Sequence, residues 1–182
     1  MRVISGEARG RRLREPEGMD IRPTTDKVKE SIFNIIQFEI EGKRVLDLFA
    51  GTGQLGIEAL SRGAERAVFT DESPAAIKII NENIKTCGFE NRAEVVRGES
   101  LSTIGRFGKF DIIFLDPPYD NELLKKALSK IIEIDILKDN GIILCESRND
   151  YMLPEVSSPY LLRKEYKYGK IKLTLYTREA DR

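Results

Sequence analysis

The chain contains no histidine. That removes His-based general bases, His-containing catalytic triads and most zinc sites. Only two cysteines are present, Cys87 and Cys145, and neither has neighbours suited to a metal, so both are expected to be reduced, unligated thiols and no metal is expected. Net charge is absent too, with 30 Lys+Arg against 30 Asp+Glu. Any nucleic-acid partner must therefore be met by a local basic patch. No apolar run reaches the roughly 18 residues of a membrane helix, and Met1-Arg2-Val3-Ile4-Ser5-Gly6 lacks the apolar stretch of a signal peptide. A cytoplasmic protein without membrane association is expected. The chain shows no internal repeat and no low-complexity segment.

What is there is ordinary globular material: 182 residues, 41% hydrophobic and 33% charged. This suffices for one domain with a real core, plus a small appendage. Residues 2–14 mix apolar pairs with Gly and Arg and read as a small hairpin around Gly6–Gly10. Residues 15–23 are connector. Thr24 or Thr25 can cap a helix running to about Glu39, with Ile32, Phe33, Ile36 and Ile40 as its apolar stripe. The expected division is 1–21 as a basic hairpin and connector, an RNA-binding appendage, and 22–182 as the main domain.

A strand–helix alternation follows. Strands are predicted at 44–49, 67–70, 93–97, 110–115 and 141–146, with helices at 53–61, 74–86 and 122–133 and a short helical or irregular piece after the third strand. Such alternation gives a mostly parallel sheet covered on both faces. Residues 160–168 and 171–177 flank Gly169-Lys170 as an antiparallel hairpin. The predicted fold is α/β, Rossmann-like and seven-stranded, with the C-terminal antiparallel hairpin found in the class I S-adenosylmethionine-dependent methyltransferases.

Two motifs carry chemistry. Gly51, Gly53 and Gly56 satisfy G-x-G-x-x-G between a strand and a helix, the context in which backbone approaches a nucleotide. Asp71, about 20 residues on, ends the next strand, where a carboxylate can hold ribose hydroxyls. These features suit NAD and S-adenosylmethionine equally; Asp47 separates them. A carboxylate there repels a pyrophosphate but favours the ammonium and sulfonium of S-adenosylmethionine. The cofactor-binding candidates are Asp47, Phe49, Ala50, Gly51, Thr52, Gly53, Asp71, Glu72, Glu99 and Ser100, with Glu99 a candidate acceptor for the adenine amine, although an exposed acid explains Glu99 almost as well.

The second motif, Asp116-Pro117-Pro118-Tyr119, follows an apolar strand. Two prolines stiffen the chain and aim the Asp116 carboxylate and the Pro117 carbonyl. An aromatic amine is a poor nucleophile because its lone pair is delocalised. Two acceptors on its N–H groups favour a pyramidal nitrogen that can attack a methyl group in line. Tyr119 offers a face for stacking, worth about 1–3 kcal/mol. A base within a helix must first be flipped out. Guanine N2, adenine N6 and an amide all fit this loop. An NAD-dependent oxidoreductase would explain the glycines and Asp71, but not Asp47 or the 116–119 loop.

Arg2, Arg9, Arg11, Arg12 and Arg14 cluster near the start against one acid, Glu7. They can track phosphates, giving affinity and salt dependence rather than base choice. The plainer reading is a charged edge that blocks strand aggregation. For Arg163, Lys164, Lys167, Lys170 and Lys172, alternation on an edge hairpin is explanation enough.

Taken together, the chain resembles the RsmD-type family of bacterial 16S rRNA (guanine-N2)-methyltransferases over nearly its whole length. The match includes Arg2-Val3-Ile4-Ser5-Gly6, Arg9-Gly10-Arg11-Arg12-Leu13, the segment 21–34 from Ile21-Arg22-Pro23-Thr24-Thr25-Asp26 onward, 46–53, 55–64 and Asp116-Pro117-Pro118-Tyr119. The Arg-Pro-Thr-Thr-Asp segment is specific to that family; the other two motifs recur in many methyltransferases. The resemblance implies methylation of a guanine N2 in 16S rRNA, with the 30S subunit or its assembly intermediate as partner and a monomer as the working form. It also implies that Arg22, Thr24 and Thr25 help close the cofactor site. This sequence departs from the family pattern at Ser5 (usually Gly), at Thr70-Asp71-Glu72 (usually Val-Glu-x-Asp) and at Glu99 (usually Asp).

Overall fold

The computed structural model describes residues 1–18, 25–118 and 121–180. Arg22, Thr24 and Tyr119, each a predicted site residue, lie outside the described residues. The helices are α1 (Asp26–Ile35), α2 (Gln54–Ser61), α3 (Pro74–Cys87), α4 (Ser100–Thr103) and α5 (Asn121–Ile134). The strands are β1 (Arg44–Asp47), β2 (Arg66–Asp71), β3 (Ala93–Arg97), β4 (Phe110–Leu115), β5 (Leu137–Arg148), β6 (Tyr160–Tyr168) and β7 (Ile171–Arg178). They form one seven-stranded sheet in the order β3-β2-β1-β4-β5-β7-β6. The first five strands run parallel, and β7 is antiparallel to both β5 and β6. The predicted α/β architecture is therefore the observed one. Among the described residues no helix is long and apolar enough to cross a membrane.

Alternation along the buried strands splits the core between the two faces of the sheet. Val45, Ala67, Phe69, Ile112, Phe114, Ile142 and Leu144 face one layer with α1, α2 and α3. Leu46, Val68, Ile113, Leu115, Ile143 and Cys145 face the other, with α5. The central strands are buried from both sides, which explains their nearly continuous apolar sequences. Ser73 caps the start of α3, its hydroxyl oxygen accepting from Ala76 N, with Pro74 in the first turn.

Three predicted elements change on inspection. The first helix stops at Ile35 rather than near Glu39. Its last turn is replaced by hydrogen bonds from Glu39 N to Ile36 O and from Lys43 N to Ile40 O, which swing Ile36 and Ile40 into the core. The last parallel strand starts earlier, at Leu137, and bulges between Phe110 and Ile112 of its neighbour, with Asn140 at φ 59°. The N-terminal hairpin has a single antiparallel bridge, Arg2 to Arg12, closed by Val3 N to Arg11 O and Leu13 N to Met1 O.

That hairpin is short because its backbone groups bond α2 instead. Ile4 N and Ser5 N donate to the two oxygens of Glu58, Glu7 N to Ser61 O, and Ala8 N to Ser61 Oγ. Gly6 approaches so closely that an added Cβ would sit 1.8 Å from Ser61 O. Val3, Ala8 and Leu13 are buried in the same core layer as α1 and α2. Glu58 is itself fully buried and also takes Arg62 Nε at 2.9 Å, with Lys29 Nζ 3.7 Å away. Lys29 is fully buried and donates to Arg2 O at 2.6 Å. Burial pushes its ammonium pKa down, against the pull of Glu58 and Asp26.

Candidate active site

The carboxyl ends of β1, β2, β4 and β5 open into one cleft of about 1150 Å³. It lies where the strand order reverses between β1 and β4, the place where open parallel sheets leave room for a ligand. The glycine loop and the loop after β4 meet there. Asp47, Phe49, Ala50, Gly51, Thr52, Asp71, Glu72, Glu99, Ser100, Asp116, Pro117, Pro118 and Thr25 all line it. Gly53 sits just behind, as the N-cap of α2 in a left-handed conformation at φ 79°. The arginine cluster is not part of this lining.

Asp47 is 2% exposed and accepts the Gly56 N–H at 3.0 Å. Burial pushes its carboxyl up to about 7; the Gly56 hydrogen bond opposes that, and the Asp116 and Asp71 carboxylates add to it. Gly56 is required for packing, since a Cβ there would lie 2.3 Å from the Phe69 ring. Asp71 supports the loop as well as facing it. Its Oδ2 accepts from Gly51 N at 3.0 Å and its Oδ1 from Ser73 N at 2.9 Å, leaving lone pairs toward the cleft. Thr70 and Ser100 both donate to Leu48 O, tying the ends of β1, β2 and the α4 turn together.

Glu99 has a structural role that its sequence position did not announce. Its carboxylate caps α4, accepting from Leu101 N at 3.0 Å and Ser102 N at 2.9 Å. The remaining lone pairs still reach the cleft wall. Thr25 caps α1, accepting from Val28 N at 3.3 Å. Thr52 is 8% exposed, and its hydroxyl donates to Met1 Sδ at 3.4 Å.

Several wall residues escaped sequence reasoning. Asn83, from the middle of α3, donates to Thr52 O and Arg14 O and accepts from Arg14 N. It clamps the N-terminal segment to the glycine loop, so that Met1, Glu15 and Pro16 form one side of the cleft. Gln54, the first residue of α2, is 7% exposed, and its Oε1 has no hydrogen-bond partner among the described residues. At the opposite end, Glu146, Arg148 and Lys170 line the cleft. An apolar-run neighbour and an edge-hairpin turn gave no signal for that. Lys172, likewise assigned to a solvated edge, is buried instead, donating to Tyr151 O at 2.6 Å and pairing with Glu165.

The arginines divide. Arg2 lies 3.6 Å from Asp26, and Arg14 is paired with Glu82. Arg9, Arg11 and Arg12 are exposed on the outer face of the N-terminal segment.

A doubly covered parallel sheet, an antiparallel last strand inserted beside β5, and a glycine loop facing an acidic cleft at the switch point define the class I methyltransferase fold. The solved structure described as "Putative methyltransferase yhhF from Escherichia coli" superposes with a TM-score of 0.89 at 34% identity, covering 100% of this chain and 99% of that one. The chain belongs to the family described as Conserved hypothetical protein 95, whose model matches residues 1–177. Among relatives, the Bacillus subtilis protein named "Putative rRNA methyltransferase YlbH" is 42% identical, over 99% of this chain and 100% of that one. The Escherichia coli protein named "Ribosomal RNA small subunit methyltransferase D" is 36% identical, over 100% of this chain and 91% of that one.

Proposed function

We propose that this protein transfers a methyl group from S-adenosylmethionine to the exocyclic N2 of a guanine in 16S rRNA, within the 30S subunit or its assembly intermediate. The observation that carries the cofactor choice is the charge of the cleft. Asp47, Asp71, Glu72, Glu99 and Asp116 surround the glycine loop, and among the described lining residues the cationic side chains, Lys170 and an Arg148 paired with Asp150, stand at the far end. A pyrophosphate would be repelled, which disfavours NAD. A ligand carrying sulfonium and ammonium charges relieves the strained Asp47 carboxylate, so the donor set fits S-adenosylmethionine.

In this reading Asp47 and the N–H groups of the glycine loop hold the amino-acid end, Asp71 and Glu72 take the ribose hydroxyls, and Glu99 and Ser100 flank the adenine. Phe49, Ala50, Thr52, Gly53 and Thr25 shape the walls, with Arg22 and Thr24 closing over them. When bound, the cofactor supplies an electrophilic methyl group whose bonding pair returns to sulfur as the new N–C bond forms. Asp116 and the Pro117 carbonyl accept the two N–H groups of the target amine and turn its lone pair toward that methyl. The proton leaves the cationic product through Asp116 to solvent, so no histidine is needed. Pro117 is buried and Pro118 exposed, which fixes the loop at one side while the other meets substrate. Tyr119 stacks on the base. Arg9, Arg11 and Arg12 track phosphates outside the cleft, and residues 1–21 act as the RNA-binding appendage.

The choice of rRNA rests on the relatives' names and that of guanine N2 on the resemblance; the loop chemistry alone serves adenine N6 or an amide equally. Asp116→Ala tests the mechanism. With labelled cofactor and 30S particles it should lower methyl transfer about 10²-fold or more while cofactor binding stays intact. Labelling of DNA or protein but never of rRNA would overturn the substrate assignment.

A further inference from the structure

We infer that Gln54 is a cofactor-binding residue whose side-chain amide grips the amino-acid end of S-adenosylmethionine, its oxygen taking the ammonium and its N–H the carboxylate. This inference rests on the proposed cofactor and adds a side-chain contact to the site that would hold it.

Gln54 stands out among the buried polar residues. It is 7% exposed, yet its Oε1 has no hydrogen-bond partner among the described residues. Other polar side chains of α2 are satisfied: Glu58 and Ser61 hold the N-terminal segment. Thr174 Oγ1 shares the lack of a partner, but it lies within β7 and is no part of the cleft lining. An unpaired buried amide is costly, so native structures keep few of them. Packing alone does not call for one here, since Met fills a similar space without the polar atoms.

Position says what completes it. Gln54 is the first residue of α2 and lines the cleft. Gly53 before it turns the chain at φ 79°, and Gly56 N, two residues on, is held by Asp47. Gln54 therefore sits at the glycine loop, where the acidic wall meets the start of a helix. The N–H groups of Gln54 and Leu55 in that first turn have no acceptor among the described residues. Such a turn is partly positive and favours an anion. Asp47 favours a cation. A ligand with an ammonium and a carboxylate on one carbon matches that junction.

An ammonium has three donors, and one Asp47 oxygen already takes Gly56 N–H. A primary amide supplies the next acceptor and, on the same carbon, a donor for the carboxylate. No hydrogen bond holds Oε1 in place among the described residues, and the last torsion of Gln is soft, so the amide can turn to meet the ligand. Shielded from water, the bonds it forms there are made without competition from solvent.

The test is calorimetry of the whole chain with two ligands. S-adenosylhomocysteine carries the amino-acid end, whereas 5′-methylthioadenosine keeps the nucleoside and lacks that end. Gln54→Met should weaken S-adenosylhomocysteine at least about tenfold and 5′-methylthioadenosine by less than about twofold. Without ligand, the variant should melt no lower than wild type, because it has lost an unpaired polar group. Weakening of both ligands alike, or of neither, overturns the inference. So does a ligand-free variant that melts well below wild type, which would make the amide a structural group. If wild type itself does not bind S-adenosylhomocysteine, the proposed function fails instead.

Discussion

Replacing Asp47 with Asn separates what the cleft contributes to binding from what it costs the fold. The side chain is 2% exposed and its carboxyl is pushed up to about 7. An unfolded Asp titrates near 3.8. Between these values the folded state holds more protons than the unfolded one, so stability falls as pH rises from about 4 to about 7 and is then constant. The gap corresponds to at most about 4 kcal/mol of destabilisation by ionised Asp47 at pH 8. Asn has the same shape, can still accept the Gly56 N–H, and carries no charge. Asp47→Asn should therefore be more stable than wild type by up to about 4 kcal/mol at pH 8 but by under about 2 kcal/mol at pH 5. Urea unfolding at the two pH values measures this. Cofactor binding should move the opposite way. A sulfonium ligand needs ionised Asp47, so wild-type affinity should weaken about tenfold from pH 8 to pH 6, with proton release on binding. The Asn variant should bind weakly at both pH values and lose that dependence. A stability difference that is the same at pH 5 and pH 8, or tight binding by the variant, would refute the reasoning.

Glu58→Ala leaves Lys29 buried without its carboxylate and strips acceptors from Ile4 and Ser5 N–H. It should cost about 3–5 kcal/mol in denaturant unfolding and loosen the N-terminal segment in hydrogen exchange. Gly56→Ala drives a methyl into Phe69 and should cost about 1–3 kcal/mol while weakening cofactor binding through Asp47. Replacing Arg9, Arg11 and Arg12 together by Ala should leave cofactor affinity intact and lower the salt slope of RNA binding by about 2; an unchanged slope would assign these residues to the solvated edge.

How far the sequence reached depends on the distance over which each signal acts. Pro74 behind Ser73, the Gly169-Lys170 turn, and the two-sided burial of Phe110–Leu115 are local, and all three stand where the sequence put them. The end of α1 was misjudged because Ile36 and Ile40 keep helical spacing yet are carried to the core by turns that no local rule distinguishes from a helix. The capping role of Glu99 left no mark in the sequence because the four-residue helix it caps is too short to show a period.

By itself, then, the sequence determined the alternating fold, the glycine loop between Asp47 and Gly56, and the Asp-Pro-Pro loop, since each is written within a dozen residues. Tertiary structure alone decided which of these share a wall. Asp47 lies beside Phe114, and Leu115 at the end of β4 beside Cys145, only through parallel pairing across crossovers. The N-terminal segment joins the cleft only because Glu58, Ser61 and Asn83, three interior helix residues, use their side chains to bond its backbone. Pairings between distant segments leave no mark on either segment alone, and the shift of Asp47 to about 7 exists only once that burial has removed water.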